Sequence, residues 1–441
     1  MSMHSDLDMP NRDQLVADTA RPMPRWVTMG STILALIGVV VFLIGAFMGE
    51  SRVWQALHVN WLFFASISQA GVVFVAVQRI TTARWSRPVI RLLEGYVAFL
   101  PVAFLLLILI FIGGKHIFPY ATHHVPIPEK HAWLQYSSVA TRDIIAFLVL
   151  TILSIWYIYT CVRLDVGIVP EQGAAWARGI RERMRRGFRD ERRELHSTHS
   201  LQGKLAVWLC LLFNFVFIML SWDLSMSLDL FFQSTMYGWW FYMGGWIAAI
   251  MSWSLLTMWW RKYLGAEDYI TEHHFHDLGK LAFAFTAFWG YLTFAQYLVI
   301  WYGNMPEETH WMRLRLIQPW MWTTLSIVFL MFAIPFFGLL SRAAKVYLPT
   351  FIAFAVCSVV GLWILRYIEV YPSIYYKSST APFGIWEIGI TLGYLGLWGL
   401  CYRAFMDAFP RMRVMLMTSP YRDEVQVPVN PDTMEPLPAH E

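Results

Sequence analysis

Ten long apolar segments constrain the fold of this 441-residue chain more than any other feature. Each is close to or longer than the roughly 20 apolar residues that an α-helix needs to cross a bilayer. The sequence therefore predicts an all-α, polytopic membrane protein with about ten transmembrane helices. These segments are 27–49, 58–78, 92–113, 140–162, 203–222, 238–260, 279–303, 319–340, 346–371 and 384–406.

The composition and the ends of the chain agree with this interpretation. Hydrophobic residues make up 57% of the chain and charged residues 15%, whereas a soluble domain carries roughly 25% charged residues. The first apolar segment is too long for a cleavable signal core, so it predicts a retained helix. We divide the chain into a cytoplasmic N-terminal segment (1–26), a transmembrane domain (27–406) and a cytoplasmic C-terminal tail (407–441).

The positions of the basic residues predict the orientation. Most of the 34 Lys and Arg residues lie in the two termini and in the loops after segments 2, 4, 6 and 8. Basic loops stay on the cytoplasmic side of a membrane, which predicts that both termini are cytoplasmic. The net charge of +4 thus reflects topology, and we expect no nucleic acid partner.

Other patterns predict how the helices are arranged. Segments 2 and 6 both begin with a cluster of aromatic residues and end at a basic loop. This repeat favours two four-helix bundles, segments 2–5 and 6–9, with segments 1 and 10 peripheral.

The charged stretch within 163–200 predicts an amphipathic helix on the membrane surface or against a partner. The proline-rich stretch 415–441 predicts an extended arm. Glycines on segment 10 indicate close helix packing: Gly389, Gly393, Gly396 and Gly399.

The sequence does not indicate a redox or hydrolytic centre. All 13 histidines fall in tails, loops or helix ends, whereas a membrane haem b needs histidines within its helices. The four cysteines have no paired spacing, so neither a disulfide nor an iron–sulfur site is predicted. We also expect no bound metal, and no nucleotide or nucleophile motif names a catalytic residue.

Ionisable residues at membrane depth are the candidate functional groups, because an unpaired charge there is costly. Glu94 lies one turn into segment 3, where it could take up protons or extend to the interface beside Arg91. Arg366 and Glu369, spaced i and i+3 in segment 9, can form an ion pair whose role is structural or functional.

Further polar residues lie near the outer surface and between the two sides. We interpret them as a hydrogen-bonded proton path from an inner carboxylate to outer ones, with simple adhesion between helices as the alternative. His58, near the outer end of segment 2, is a candidate proton acceptor. The proton-pathway candidates are Glu94, Asp143, Asp223, Tyr291, Gln296, Arg366, Glu369 and Glu387.

Four stretches of the chain resemble a known family. Residues 60–94, 226–246, 276–311 and 335–349 are similar to NrfD/PsrC-like membrane subunits, and most of all to the F subunit of bacterial alternative complex III. The strongest similarity runs from HDLGK to PEETHW within 276–311. The resemblance covers segments 2 to 10 and implies a ten-helix protein with two four-helix bundles.

The resemblance also implies a setting and a role. The chain would lie in the bacterial inner membrane as a cofactor-free subunit of a quinol-oxidising complex, with quinol as the substrate of the complex. Its partners would be an NrfD-like C subunit, an iron–sulfur subunit, haem c subunits and small membrane subunits. Haem c and iron–sulfur clusters would belong to those partners. The family's F subunit is expected to provide a scaffold and a proton passage.

Two alternatives remain open. This chain could bind quinol directly near the outer ends of segments 2–5, with His58 and Asp143 accepting protons. It could instead be a secondary transporter, which would have discontinuous helices at the midplane and would function without partners.

Overall fold

The computed structural model describes residues 9–122 and 125–425. All ten predicted segments form helices, and most of their bounds agree with the prediction to within four residues. The helices are longer by seven residues at the starts of the second and seventh segments, by six at the end of the fourth and by twelve at the start of the fifth. The prediction of an all-α polytopic fold is confirmed. The ten long helices are α1 (Arg25–Phe47), α2 (Ser51–Ile80), α3 (Ile90–Ile112), α4 (Tyr136–Ile168), α5 (Glu191–Leu224), α6 (Tyr237–Leu264), α7 (Glu272–Gly303), α8 (Met321–Gly338), α9 (Leu348–Ile374) and α10 (Ile385–Ala408).

Within the described part of the chain, nine of these helices are long and apolar enough to cross a membrane. The exception is α10, which carries charged residues near both ends. It nevertheless packs along α1, because Gly393 and Gly396 of α10 lie against the backbone of Gly38 and Ala35 of α1. We therefore place α10 in the same layer as α1.

The long helices pack as two four-helix bundles and a peripheral pair, as predicted. Helices α2 to α5 form a closed ring of contacts, and α6 to α9 form a second. Helices α1 and α10 pack together against α2. The two bundles meet where α6 contacts α2 and α5, and where α9 contacts α2.

Burial differs sharply between helices. Every residue in the most apolar 18-residue window of α2 is buried, whereas only 11% of the corresponding window of α1 is buried. A helix that is apolar on all sides and exposes large side chains such as Leu36 and Val40 is suited to a lipid surface. Helix α2 is therefore the central helix, and α1 lies at the periphery.

Both ends of the described chain lie on one side of the molecule, which we call the terminal face; the opposite side is the far face. Arg12 in the first short helix donates to the Thr418 hydroxyl (3.0 Å) in the last one. Short helical turns occupy the connections on both faces. The short helices are Arg12–Asp18, Pro128–His131, Arg178–Arg185, Pro306–Leu316, Arg342–Val346 and Val414–Thr418, and the 3-10 turns are Gly114–His116, Pro119–Ala121, Ala175–Ala177 and Met226–Leu228. Inside the long helices, Gly95–Phe99 of α3 is a 3-10 stretch and Val328–Ala333 of α8 is a π-helical stretch.

Two regions of the terminal face differ from the sequence expectation. The charged stretch does not form one surface helix, because Gly187 adopts a positive φ of 74° and separates the short helix Arg178–Arg185 from α5. Met415 and its neighbours do not form an extended arm, because they fold into a buried turn against the terminal face. The rest of the predicted arm, 426–441, lies outside the described residues.

The glycine stripe of α10 lets the backbones of α1 and α10 approach each other closely. A Cβ added at Gly393 would lie 2.5 Å from the Gly38 Cα of α1, and one added at Gly396 would lie 2.3 Å from the Ala35 amide. The nearest atoms belong to backbone, which cannot move aside as a side chain can. The predicted small-residue packing surface is confirmed.

Replacing Gly393 with alanine is therefore expected to push α1 and α10 apart and to lower the free energy of unfolding by about 1–3 kcal/mol. Gly30→Ala is the matched control, because no atom lies within 4 Å of a Cβ at that position of α1. Thermal unfolding in mild detergent measures both variants. Equal midpoints for the two variants would contradict the close contact.

Candidate functional site

The ionisable residues predicted from sequence fall into four groups, one on the terminal face and three toward the far face. The terminal-face cluster contains Glu94. The other groups contain Glu369, Glu387 and Asp143. Each group combines residues from more than one helix.

The terminal-face cluster consists of Arg91, Glu94, Asp165 and Arg413. The Arg91 guanidinium bonds to the carboxylates of Glu94 and Asp165, and Arg413 bonds to Glu94 from the C-terminal segment. Arg91 and Glu94 are fully buried, and Asp165 is 1% exposed. Glu94 is thus held between two guanidinium groups and does not extend to the interface.

This cluster also anchors the C-terminal segment. The backbone amide of Met415 donates to Asp165 (2.7 Å), and Met415 itself is completely buried. Sequence reasoning missed Asp165 and Arg413. Asp165 lies within the charged stretch 163–200 and Arg413 within the predicted tail 407–441, and charged residues in such regions are expected to be solvated.

The second group centres on the predicted pair in α9. Arg366 donates through Nη1 to both Glu369 oxygens at 2.7 Å, and through Nη2 to the Phe241 carbonyl at 2.7 Å. Its guanidinium carbon lies 3.5 Å from the centroid of the Phe241 ring. Both charged side chains are buried, so the ion pair links α9 to α6.

Arg315, from the short helix Pro306–Leu316, lies beside this pair and was missed from the sequence. It is 3% exposed and donates to the carbonyls of Ile368 and Glu369 near the end of α9. Burial lowers the pKa of Arg315 to about 10, partly offset by attraction to Tyr237 and nearby carboxylates. Arg315 therefore remains charged at neutral pH and holds the end of α9.

The third group surrounds Glu387, whose two oxygens both have partners. Arg52 of α2 donates to them at 3.0 and 2.7 Å, the Tyr371 hydroxyl donates at 2.9 Å, and the Gly384 amide donates at 2.8 Å. Glu387 is 1% exposed. Glu387 therefore joins α2, α9 and α10. It also accepts a hydrogen bond from the Gly384 amide at the start of α10, which has no partner within the helix.

The fourth group contains two neighbouring carboxyl groups, Asp143 of α4 and Asp223 of α5. Asp223 accepts from Arg142 Nε and from Trp133 Nε1, both at 2.8 Å. Asp143 is fully buried, and neither of its oxygens accepts from an N–H or O–H group of the described residues. The Asp223 carboxyl lies within hydrogen-bonding reach of Asp143, so the two can share a proton. We call Asp143 and Asp223 the aspartate pair.

His58 of α2 contacts the residue that follows Asp223 of the aspartate pair. Its Nε2 is 2.8 Å from the Leu224 carbonyl, next to Asp223, and its ring is fully buried. The Phe118 ring packs edge-on against it, with centroids 5.3 Å apart. Nδ1 of His58 has no partner among the described residues.

The remaining two predicted residues lie in different environments on α7. Tyr291 is 62% exposed on the outer surface of the second bundle, a position that does not support a role in an interior proton path. Gln296 is buried, and its Oε1 has no partner among the described residues.

The polar residues of α2 bond mainly to other helices. Gln69 donates to Ser154 of α4 (2.8 Å), and the Trp398 indole of α10 donates to Ser68 (3.0 Å). These bonds join neighbouring helices, as expected for polar groups that hold membrane helices together.

The geometry thus separates two kinds of buried carboxyl group. Glu94, Glu369 and Glu387 are held by arginines from other turns or helices. Asp143 has no arginine or other N–H donor and lies within hydrogen-bonding reach of a second carboxyl. Two carboxyl groups in one site share a proton readily, because both cannot be charged there at low cost. Proton exchange therefore fits the aspartate pair better than the other three groups.

A pair outside the helices attaches the tail to the terminal face. Arg87 donates to Asp423 at 2.8 Å. Burial acts to raise the pKa of Asp423, but the hydrogen bond and charge of Arg87 outweigh this and hold it below the usual value. A lowered folded-state pKa contributes stability above the unfolded value of about 3.9, and this contribution is lost as pH falls through the folded value.

We therefore expect Asp423→Asn at neutral pH to destabilise the segment around residue 423. Protonation of Asp423 at low pH should have the same effect in the unmodified chain. Because the Asp423 side chain is 51% exposed, the contribution is at most about 1 kcal/mol, or roughly fivefold faster amide exchange. Hydrogen–deuterium exchange of residues 416–425 measures it, with Glu182→Gln as the control. Unchanged amide exchange in Asp423→Asn would show that the Arg87–Asp423 ion pair does not stabilise this segment.

Among residues 9–122 and 125–425, no three His, Cys, Asp or Glu side chains converge as a metal site would require. No protein-family model and no curated protein matches the chain.

Proposed function

We propose that this chain is a membrane subunit, without a redox centre of its own, of a bacterial complex that oxidises quinol and passes the electrons to cytochrome c or another acceptor. The observation that carries the proposal is the architecture: two four-helix bundles and a peripheral pair, as the resemblance to the F subunit of alternative complex III implies. The partners proposed are the NrfD-like, iron–sulfur and haem c subunits, in the inner membrane with both termini cytoplasmic.

Within this role we propose that the chain carries protons through the aspartate pair. Asp143 is buried without an N–H donor, and Asp223, the carboxyl with which it can share a proton, is held by Arg142. On the terminal face, Glu94 is the nearest candidate for proton uptake along the central helices, although its two arginine partners restrict it. Glu369 and Glu387 primarily hold helices together.

Deleting the gene from its source bacterium tests the function. We expect membranes of the deletion strain to lose quinol-dependent reduction of the acceptor and to lose the haem c subunits from the membrane fraction. The unmodified chain and an Arg178→Met variant, altered only at an exposed ion pair, should both restore activity. Full activity in the deletion strain would contradict the proposal.

A second candidate function is direct quinol binding near the far face. Asp143, whose oxygens receive no N–H or O–H donor among the described residues, and Nδ1 of His58, which has no partner among them, favour it. A quinol hydroxyl needs nearby acceptors when it gives up its proton. A density map of the complex with quinone bound beside His58 would support this candidate. Quinone bound only to another subunit would exclude it.

A further inference from the structure

A small cavity lies on the terminal face, where the ends of α2 and α4 meet the starts of α3 and α5 and the C-terminal segment. Its volume is about 50 Å³. One water molecule needs roughly 10–15 Å³, and sites for large organic ligands have roughly 300–1,000 Å³. The cavity therefore has room for a few water molecules or for one small ion. Its polar lining includes Arg79, Ser86, Arg87, His199 and Arg413.

The charged groups around this cavity carry an excess of positive charge. Arg79, Arg87 and Arg413 line it, and none of the described residues that line it is Asp or Glu. Arg413 is neutralised by Glu94, and Arg87 is neutralised by Asp423. Arg79 makes no ion pair with a described carboxylate, so one positive charge at the cavity is uncompensated.

Arg79 is fixed in position, although it has no carboxylate partner. Its Nη2 donates to the His199 carbonyl at 2.8 Å, and a Cβ added at Gly203 would lie 3.5 Å from the same nitrogen. Arg79 thus reaches from the end of α2 across to α5. Its Nη1 has no partner among the described residues and remains accessible, so this nitrogen is free to donate to a ligand.

Two neutral side chains add free donors to the same cavity. Ser86 is only 2% exposed, yet its hydroxyl makes no hydrogen bond with a described residue. The His199 ring, which is partly exposed, also has no partner among them. A hydroxyl group and a neutral imidazole can each donate one hydrogen bond. The donors come from α2, from the loop before α3 and from α5, so they surround the cavity on three sides.

This combination of charge and donors selects the class of ligand. A guanidinium group binds oxyanions strongly, through hydrogen bonds that the opposite charge reinforces. A cation would be repelled by the uncompensated Arg79. Donors on three sides suit the several oxygens of a tetrahedral oxyanion better than the two oxygens of a planar carboxylate.

We propose that this cavity binds a phosphate group, with Arg79 as its ion-pair partner and Ser86 and His199 as neutral donors. Inorganic phosphate and the headgroup of an anionic phospholipid offer the same chemistry. A phosphate group bound there connects the ends of α2 and α5 next to the C-terminal segment. The inference rests on the cavity alone and does not depend on the proposed function.

Equilibrium dialysis against radiolabelled inorganic phosphate tests the proposal, using the purified full-length chain with the proteins that accompany it, after lipid has been removed by detergent exchange. Arg79→Gln should weaken phosphate binding at least tenfold, because it removes a charged hydrogen bond. Lys204→Gln is the matched control, since Lys204 is an exposed cation of α5 next to Gly203. It should bind phosphate as the unmodified protein does.

A second variant keeps the test decisive if Arg79→Gln fails to fold. Ser86→Ala removes one neutral donor, makes no change in charge and should weaken phosphate binding about fivefold. Binding that is equal in Ser86→Ala and the unmodified protein would contradict the assignment of Ser86 to the site.

The source of the phosphate group is separated by native mass spectrometry of the same proteins purified with phosphatidylglycerol. Phosphatidylglycerol retained by the unmodified chain and by Lys204→Gln, but lost from Arg79→Gln, would support the site and assign it to a lipid headgroup. Failure of both inorganic phosphate and phosphatidylglycerol to bind would overturn the proposal. Equal binding of either probe to Arg79→Gln and Lys204→Gln would overturn it as well.

Discussion

Replacing Arg91 with methionine is expected to lower the free energy of unfolding by roughly 3–5 kcal/mol, the usual cost of removing one partner from a buried ion pair. Arg91 is fully buried and bonds to both Glu94 and Asp165. Without it, Asp165 keeps only the Met415 amide, and Glu94 keeps only Arg413. Helices α3 and α4 and the C-terminal segment would lose their common anchor.

Arg178→Met is the matched control for this prediction. Arg178 pairs with Glu182 at 3.0 Å, but both side chains are more than 60% exposed. An exposed pair contributes about 0–1 kcal/mol, so the control should unfold almost as the unmodified protein does. Unfolding in mixed detergent micelles measures both variants. A loss in Arg91→Met no larger than in Arg178→Met would mean that the terminal-face cluster contributes little to stability.

Replacing Asp143 with asparagine is expected to separate proton movement from electron flow. The side chain keeps its size and its amide can donate to Asp223, so the fold should be retained. Asparagine cannot exchange a proton, so the proton-to-electron ratio in proteoliposomes should fall to the release that quinol oxidation itself produces. Electron transfer through the proposed partner subunits should continue.

Glu387→Gln is the comparison for Asp143→Asn. Both oxygens of Glu387 accept hydrogen bonds from Arg52, Tyr371 and Gly384, so we expect this variant to lose stability with little change in the proton-to-electron ratio. Glu94→Gln and Glu369→Gln complete the series. If none of the four variants changes the ratio, the chain does not carry protons through these groups.

The fold could be predicted because the signals that determine it are local. Apolar length identifies each helix, as for α2 and α9, and basic loops set the alternation of direction. The glycines of α10 predicted a close contact, although only the structure identifies Gly38 of α1 as its partner. The bounds of α5 could not be read from hydropathy, because its charged first turns are helical but lie outside the apolar segment.

The candidate site could be predicted only in part, because charge pairing across helices is a tertiary property. The pair Arg366 and Glu369 was visible from its spacing within one helix. The partners of Glu94 could not be found this way, since Arg413 is 319 residues away along the chain. The partners of Arg315 could not be predicted either, because they lie at the end of another helix.

Asp143 and Gln296 illustrate a second limit. Sequence placed Asp143 and Gln296 at membrane depth, but it could not tell which buried polar atoms lack partners. That distinction depends on every neighbouring side chain. It separates Asp143 from Glu387, which looked equivalent in sequence.

The most direct test of the central claim is purification of the tagged chain in mild detergent, with a visible spectrum and identification of every protein that accompanies it. The account predicts that haem c and iron–sulfur subunits copurify, with quinol-dependent reduction of cytochrome c or another acceptor. A colourless chain that purifies alone would contradict membership of a quinol-oxidising complex and would favour a secondary transporter.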